Sequence, residues 1–299
     1  MEKNTYYRVG GHTYCVCFAD DKNTKELLPS SEPFRLESAD GAQMLFTLTV
    51  DDAWRPAAKG QEIGQFDCGG NNHGVYRLAD GSYQVLVSDT QQRQCCLLQA
   101  NHDFSEARVC LNGNYSMRTF GLNNALMMVY AFAGSTQGTL LMHASVVRKD
   151  GYAYLCLGVS GTGKSTHTGL WLKHIPGTDL INDDNPVVRF CPDGVARVYG
   201  SPWSGKTPCY RNVEAPIGAF LQLKQAPYNR ISRMGVTATF ASLLPSCSVM
   251  KWDERDYVAT CDTVGAIMQA VPTYLLECLP DEAACRLSYE TIHVKGRPA

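Results

Sequence analysis

The chain contains no uninterrupted apolar run approaching the roughly 18 residues that a membrane-spanning helix requires. Its opening, Met1-Glu2-Lys3-Asn4-Thr5-Tyr6, lacks the apolar centre of a secretory leader. The two absences together set the expectation of a cytoplasmic protein with no membrane partner. Neither sign of charge is in surplus: 27 Lys and Arg face 29 Asp and Glu, a formal charge of −2. A dedicated nucleic-acid surface needs a basic excess, so no nucleic-acid partner is expected. The 13 cysteines include no C-x-x-C, and their scatter, with adjacent Cys95-Cys96 and a Cys15-x-Cys17 pair, suits no zinc module. Buried, reduced thiols acting as small hydrophobes are the plainer reading. Internal repeats and low-complexity tracts are also lacking.

What is present is a globular composition, 44% hydrophobic and 19% charged over 299 residues, enough for one large or two ordinary domains. Up to about residue 115 the chain reads as strands and turns. Tyr7, Val9, Tyr14, Val16 and Phe18 alternate around Gly10-Gly11, and Met44 to Val50 is rich in strand formers. Asp80-Gly81 between Val75–Leu78 and Tyr83–Val87 suits a primed hairpin turn. Cys95–Gln99 and Ala107–Leu111 add two more strands. Leu122–Phe132 reads as a buried helix closed by Gly134. The boundaries expected are a β-rich domain over 1–118, a connecting helix over 119–137 and a second domain over 138–299.

The second half carries chemistry. Gly158-Val159-Ser160-Gly161-Thr162-Gly163-Lys164-Ser165 is a complete G-x-x-x-x-G-K-[ST] phosphate-binding loop. Such a loop turns several backbone N–H groups inward, which needs φ values that glycine adopts without a Cβ penalty. Lys164 then reaches the β- and γ-phosphates, Ser165 offers a hydroxyl to Mg²⁺, and the following helix points its positive end at the anion. The flanks suit it: Tyr152–Leu157 is a short apolar run, and Ser165–His174 fits a helix with Leu170, Trp171 and His174 on one face. Residues 158–165 and Thr166 are therefore the expected nucleotide contacts, with ATP as the ligand.

Leu140–Val147 reads as one strand turned at Lys149-Asp150-Gly151 into the strand that enters the loop, a hairpin feed and not a helical crossover. Val187–Phe190 and Val195–Tyr199, joined at Pro192-Asp193-Gly194, form another hairpin, so the fold class is α/β (α+β) with a mixed sheet. Val264–Ala270 reads as a short helix, Thr273–Leu279 as a strand, and Asp281–Tyr289 as a last helix capped by its aspartate. Leu180-Ile181-Asn182-Asp183-Asp184 is an apolar strand ending in two carboxylates, whose side chains point to opposite sides. One can serve a metal and the other accept a proton from an attacking hydroxyl. The plainer use of Asp183-Asp184-Asn185-Pro186 is a turn.

The loop and the doubled aspartate resemble the HPr kinase/phosphorylase group within the phosphoenolpyruvate carboxykinase-like phosphate-loop proteins. That group also carries a histidine 21 residues before the loop lysine, and His143 stands there. The resemblance covers about residues 138–290 and implies a kinase that uses ATP and Mg²⁺. Lys164 would bind phosphates, Ser165 and Asp183 would serve the metal, Asp184 would be the base, and His143 would lie by the reacting phosphate. A glycine-rich Glu-x-x-Gly segment found in HPr kinases is missing. Gly200–Arg211 stands in its place and is similar to the segment of related proteins whose acceptors are not HPr, with Ser201, Lys206 and Arg211 as candidate acceptor contacts. Carboxykinase chemistry itself would need a much longer chain and a lysine-histidine manganese site. Arg211, Arg230 and Arg233 are the candidates to neutralise the transferring phosphoryl group. The expected activity is transfer of the γ-phosphate to a hydroxyl of a peptide, protein or small molecule. The alternatives are a nucleotide-sensing module without transfer and a carboxykinase-like enzyme. A homo-oligomer is compatible with all three.

Overall fold

The computed structural model describes residues 3–39, 41–56, 60–67, 72–205 and 207–294. The chain divides into two compact units, Met1–Gly134 and Ser135–Ala299. Among the described residues, no helix is long and apolar enough to cross a membrane.

The first unit is built on a mixed sheet. Its strands are β1 (Lys3–Val9), β2 (His12–Phe18), β3 (Arg35–Leu36), β4 (Met44–Val50), β5 (Gln61–Asp67), β6 (Asn72–Arg77), β7 (Tyr83–Ser88), β8 (Gln94–Ala100) and β9 (Glu106–Leu111). They lie in the order β3-β1-β2-β4-β9-β8-β7-β6-β5, and β4 runs parallel to both β2 and β9. The hairpin at Gly10-Gly11 turns where both glycines take positive φ, 55° and 80°. Helix α1 (Tyr115–Ser135) packs on this sheet: the Tyr130 hydroxyl donates to Val9 O at 2.8 Å, and Phe132 meets Phe104 edge-on. The helix expected as a connector thus lies almost wholly in the first unit. It starts seven residues before Leu122 because Asn114 caps it, accepting from Met117 N–H, and it runs through Gly134 to Ser135 without stopping.

The second unit holds β10 (Thr139–Leu141), β11 (Ala144–Lys149), β12 (Tyr152–Leu157), α2 (Lys164–His174), β13 (Asp179–Asp184), β14 (Val187–Phe190) and β15 (Ala196–Tyr199). It continues with β16 (Glu214–Gln225), β17 (Arg230–Arg233), α3 (Val236–Leu243), α4 (Glu254–Ala270), β18 (Thr273–Cys278) and α5 (Glu282–Ile292). The sheet is again mixed: β12 is antiparallel to β11 and parallel to β16, while β11 also pairs antiparallel with β13. Leu155, Leu157, Phe220, Leu243, Val264 and Ile267 form the core on one face, below α3 and α4. Tyr154, Cys156, Leu221, Trp171, Cys285 and Ile292 form the other, below α2 and α5.

Two differences from the sequence reading shape the site. The apolar stretch expected as one strand over Leu140–Val147 is two, because the chain changes neighbours at Met142-His143: β10 pairs with β14, and β11 with β12 and β13. At the break, Met142 N–H bonds to Pro186 O and His143 N–H to Ser246 O, so both amides remain satisfied. The helix read over Val264–Ala270 begins ten residues earlier at Glu254, where Asp253 caps it by accepting from Asp256 N–H.

Candidate functional site

β12 delivers its chain at Leu157 directly into the glycine loop, and α2 leaves it at Lys164. Gly158, Gly161 and Gly163 take φ of 147°, 82° and 106°, a region side-chain-bearing residues rarely enter. The loop closes on itself: Thr162 N–H and Oγ1 both donate to Val159 O, at 3.2 and 2.7 Å. Lys164 folds back so that Nζ donates to Gly158 O at 2.9 Å. Lys164 is only 9% exposed, and burial lowers its pKa from the ordinary lysine value although Asp184 and Asp183 pull the other way.

α2 is fixed by a stripe that is mostly polar. Trp171 is fully buried; its indole N–H donates to Ser288 Oγ of α5 at 2.9 Å, and His167 Nε2 sits 3.0 Å from the same hydroxyl. Leu170 and His174, expected on one face with Trp171, are only partly covered. The inward positions are Lys164, His167, Thr168 and Trp171, the i, i+3, i+4 and i+7 of one helix face.

Strand register sets the acidic pair. Ser145 lies opposite Asp183 and Ala144 opposite Asp184, after a bulge that leaves Ile181 without a partner in β11. The two carboxylates then point to different places, as alternation requires. Asp183 is buried toward α2: Ser145 Oγ donates to its Oδ1 at 2.6 Å and lies 2.7 Å from Thr168 Oγ1. Asp183 Oδ2 is buried with no hydrogen-bond partner among the described residues. Asp184 is half-buried with Oδ1 3.6 Å from His143 Nε2, longer than a hydrogen bond. Burial raises the Asp184 pKa above the usual carboxylate value, while His143 and Lys164 oppose the rise. Burial, then the Lys164 ammonium, lowers the His143 pKa, with Asp184 opposing. Each shift thus favours the uncharged form of its own group.

A third segment closes over the aspartates. Gly205 N–H donates to Asp183 O at 3.3 Å and Ser204 bridges to Asp184. A Cβ on Gly205 would lie 2.9 Å from Asp183 O and 3.2 Å from Asp184 Cβ. Only glycine permits that approach.

The structure brings together Gly158 through Ser165, Asp183, Asp184 and His143, and it places the other candidates differently. Thr166 opens onto a cavity on the opposite flank of the loop. Ser201 is fully buried; its hydroxyl donates to Asn185 O at 2.6 Å and accepts from Asn182 Nδ2 at 3.1 Å, which ties the 201–205 segment to β13. Arg211 pairs with Asp179 at 2.8 Å, alongside Arg148, and also donates to Leu180 O. Asp179 opens the strand that Asp184 ends, about 16 Å away at the rise of a strand, so this guanidinium does not face the acidic pair. Lys206 lies outside the described residues. Arg230 is engaged with the buried Glu277, which also takes Lys224 at 3.0 Å, and Arg233 lies three residues farther along β17 opposite Tyr274.

Sequence reasoning missed β16, the strand that runs parallel to β12 and pairs with β18 as well. Its apolar run Ala219-Phe220-Leu221 was the available signal. The end of β16, the end of β18 and the glycine loop enclose a cavity of about 720 Å³ lined by Thr162, Thr166, Leu170, Leu223, Gln225 and Cys278 among others. That volume suits a small ligand. Among the described residues no three His, Cys, Asp or Glu side chains gather into a metal centre.

No protein-family model matches this chain, and no curated protein matches it either.

Proposed function

We propose that the second unit is a phosphate-loop phosphotransferase of the HPr kinase type, which uses ATP and Mg²⁺ to phosphorylate a hydroxyl. The observation that carries this reading is the register of β11 and β13. It sets a buried, partly orphaned carboxylate and a separate half-exposed one beside a lysine-bearing glycine loop. The cavity on the other side of the loop suits the nucleoside, so the phosphates would lie across the loop with the γ-phosphate toward His143 and Asp184.

The donor set suits Mg²⁺. A buried carboxylate oxygen without a partner is costly, and one or two carboxylates, a hydroxyl and nucleotide phosphates are what this ion commonly takes. Asp183 and Ser165 would hold it, and when bound it neutralises developing charge on the β- and γ-oxygens. Lys164 leaves the Gly158 carbonyl to reach the phosphates. The raised proton affinity of Asp184 fits a base: it takes the proton of the acceptor hydroxyl as that oxygen bonds to γ-phosphorus and the bond to the β-bridging oxygen breaks. His143, with Nε2 3.6 Å from Asp184, is placed to donate to a phosphoryl oxygen beside that carboxylate.

The test is a screen of peptides, proteins and small alcohols with γ-labelled ATP and Mg²⁺. Label transferred to a hydroxyl and lost in Lys164→Met supports the reading. Tight nucleotide binding with no transfer to any acceptor, water included, would place the chain among nucleotide sensors.

A further inference from the structure

The glycine loop is held almost entirely by its own atoms. The bonds of Thr162 to Val159 O, of Lys164 to Gly158 O and of His167 N–H to Gly163 O all join residues within the loop and the first turn of α2. One hydrogen-bonding restraint among the described residues comes from elsewhere. Gln225, the last residue of β16, donates its Nε2 amide to Gly161 O at 3.2 Å and to Thr162 O at 3.4 Å. The donor sits more than 60 residues away in sequence, on the strand parallel to the one that feeds the loop.

Three positive-φ glycines leave this segment many conformations when it is not restrained. A loop that binds an anion through backbone N–H groups gains most when those groups already converge. In a planar trans peptide a carbonyl tethered outward turns the next N–H the other way, so the bond to Thr162 O leaves Gly163 N–H facing inward, while the bond to Gly161 O fixes the plane whose Thr162 N–H closes the loop on Val159 O. Gln225 pulls on two consecutive carbonyls and also lines the cavity beside the loop. The Lys164 bond to Gly158 O, in contrast, must break when the ammonium turns to a phosphate, so that restraint is lost on binding.

We propose that Gln225 is a positioning residue of the phosphate site: its carboxamide holds the loop in its anion-receiving form from the end of β16. The proposal rests on residues 158–165 binding a polyphosphate. Its main test does not need that ligand, so the two can fail separately.

The experiment compares wild type, Gln225→Ala and Gln225→Glu, each as the full chain. Hydrogen exchange of the ligand-free proteins reads the tether directly. The loop peptide covering 158–163 should exchange at least roughly threefold faster in Gln225→Ala, with peptides from α4 and α5 unchanged. Two neutral hydrogen bonds sharing one donor group are worth about 1 kcal/mol, so the Kd for Mg·ATP should rise by about fivefold. Gln225→Glu sets a carboxylate against two carbonyl oxygens and should weaken binding more than the alanine variant. Unchanged loop exchange in both variants overturns the proposal, as does an alanine variant that exchanges faster yet binds ATP as tightly as wild type. Faster exchange in a protein that binds no ATP even as wild type leaves the tether standing and removes the phosphate-site reading.

Discussion

Substituting Gly205 tests the acidic pair without touching a carboxylate or the loop. Gly205 does not take a positive φ, so alanine introduces no backbone strain and acts through its methyl group alone. That carbon would sit 2.9 Å from Asp183 O, and 3.2 and 3.3 Å from Cβ and Cγ of Asp184. Ordinary contact begins near 3.4 Å, so the neighbours are crowded by about half an ångström. Backbone pairing holds Asp183, so the half-ångström shift falls on the 204–205 segment, which carries with it the Asp184 it bridges at Ser204. A displacement of about 1 Å at a reacting group costs on the order of 100-fold in rate, so half of that predicts about a tenfold loss. The assay is turnover of ATP to ADP, with water as acceptor where no better hydroxyl is known, and nucleotide affinity measured separately by calorimetry. Gly205→Ala should lower kcat about tenfold and leave the Kd for Mg·ATP within about twofold. Overpacking costs about 1–3 kcal/mol of stability, so turnover is measured well below the melting transition. Unchanged kcat, or a loss of affinity as large as the loss of rate, would refute the placement of Asp184 at the reacting end.

Asp256, 1% exposed in the first turn of α4, has its pKa raised to about 6, chiefly by burial, although Met250 N–H and Ser135 donate to it. A carboxyl whose folded pKa lies above its unfolded value of 3.8 favours the fold most below that value, and the benefit is lost as pH rises through about 6. About two units at 1.4 kcal/mol each give roughly 3 kcal/mol. Asp256→Asn should therefore raise stability at pH 7 by about 1–3 kcal/mol, after some loss of favourable charge at the helix start, and flatten the dependence between pH 4 and 7 in urea unfolding. A variant less stable at pH 7 would contradict this. Gly169, in the exposed interior of α2, has nothing within 4 Å of the point where an added Cβ would stand, so Gly169→Ala should stabilise the fold by roughly 0.5–1 kcal/mol, read as a higher Tm.

Much of the second unit could be read from local pattern. The glycine loop, its feeding hairpin at Asp150-Gly151 and the Asp281 cap are signals carried by consecutive residues, and each appears in the structure. The pairing of Ser145 with Asp183 is not of that kind: it depends on a bulge at Ile181 that period-two reasoning does not contain. Likewise the continuous apolar stretch over Leu140–Val147 hides the change of partner that exposes His143. The roles expected of Ser201 and Arg211 followed from residue type, since hydroxyls and guanidinia bind anions well. In the fold those groups are spent on Asn185 O and Asp179. Gln225 carried no signal at all, because its partners are backbone atoms more than 60 residues away.

In the proposed mechanism Asp184 takes a proton from an acceptor while Lys164 and its loop hold the nucleotide. Asp184→Asn, assayed side by side for Mg·ATP affinity and for γ-phosphate transfer, separates those roles. Affinity should stay within about threefold of wild type and transfer should fall by at least about 100-fold, the lower range for loss of a general base. Transfer that survives the substitution, or affinity that collapses with it, would contradict the role of Asp184 as the base.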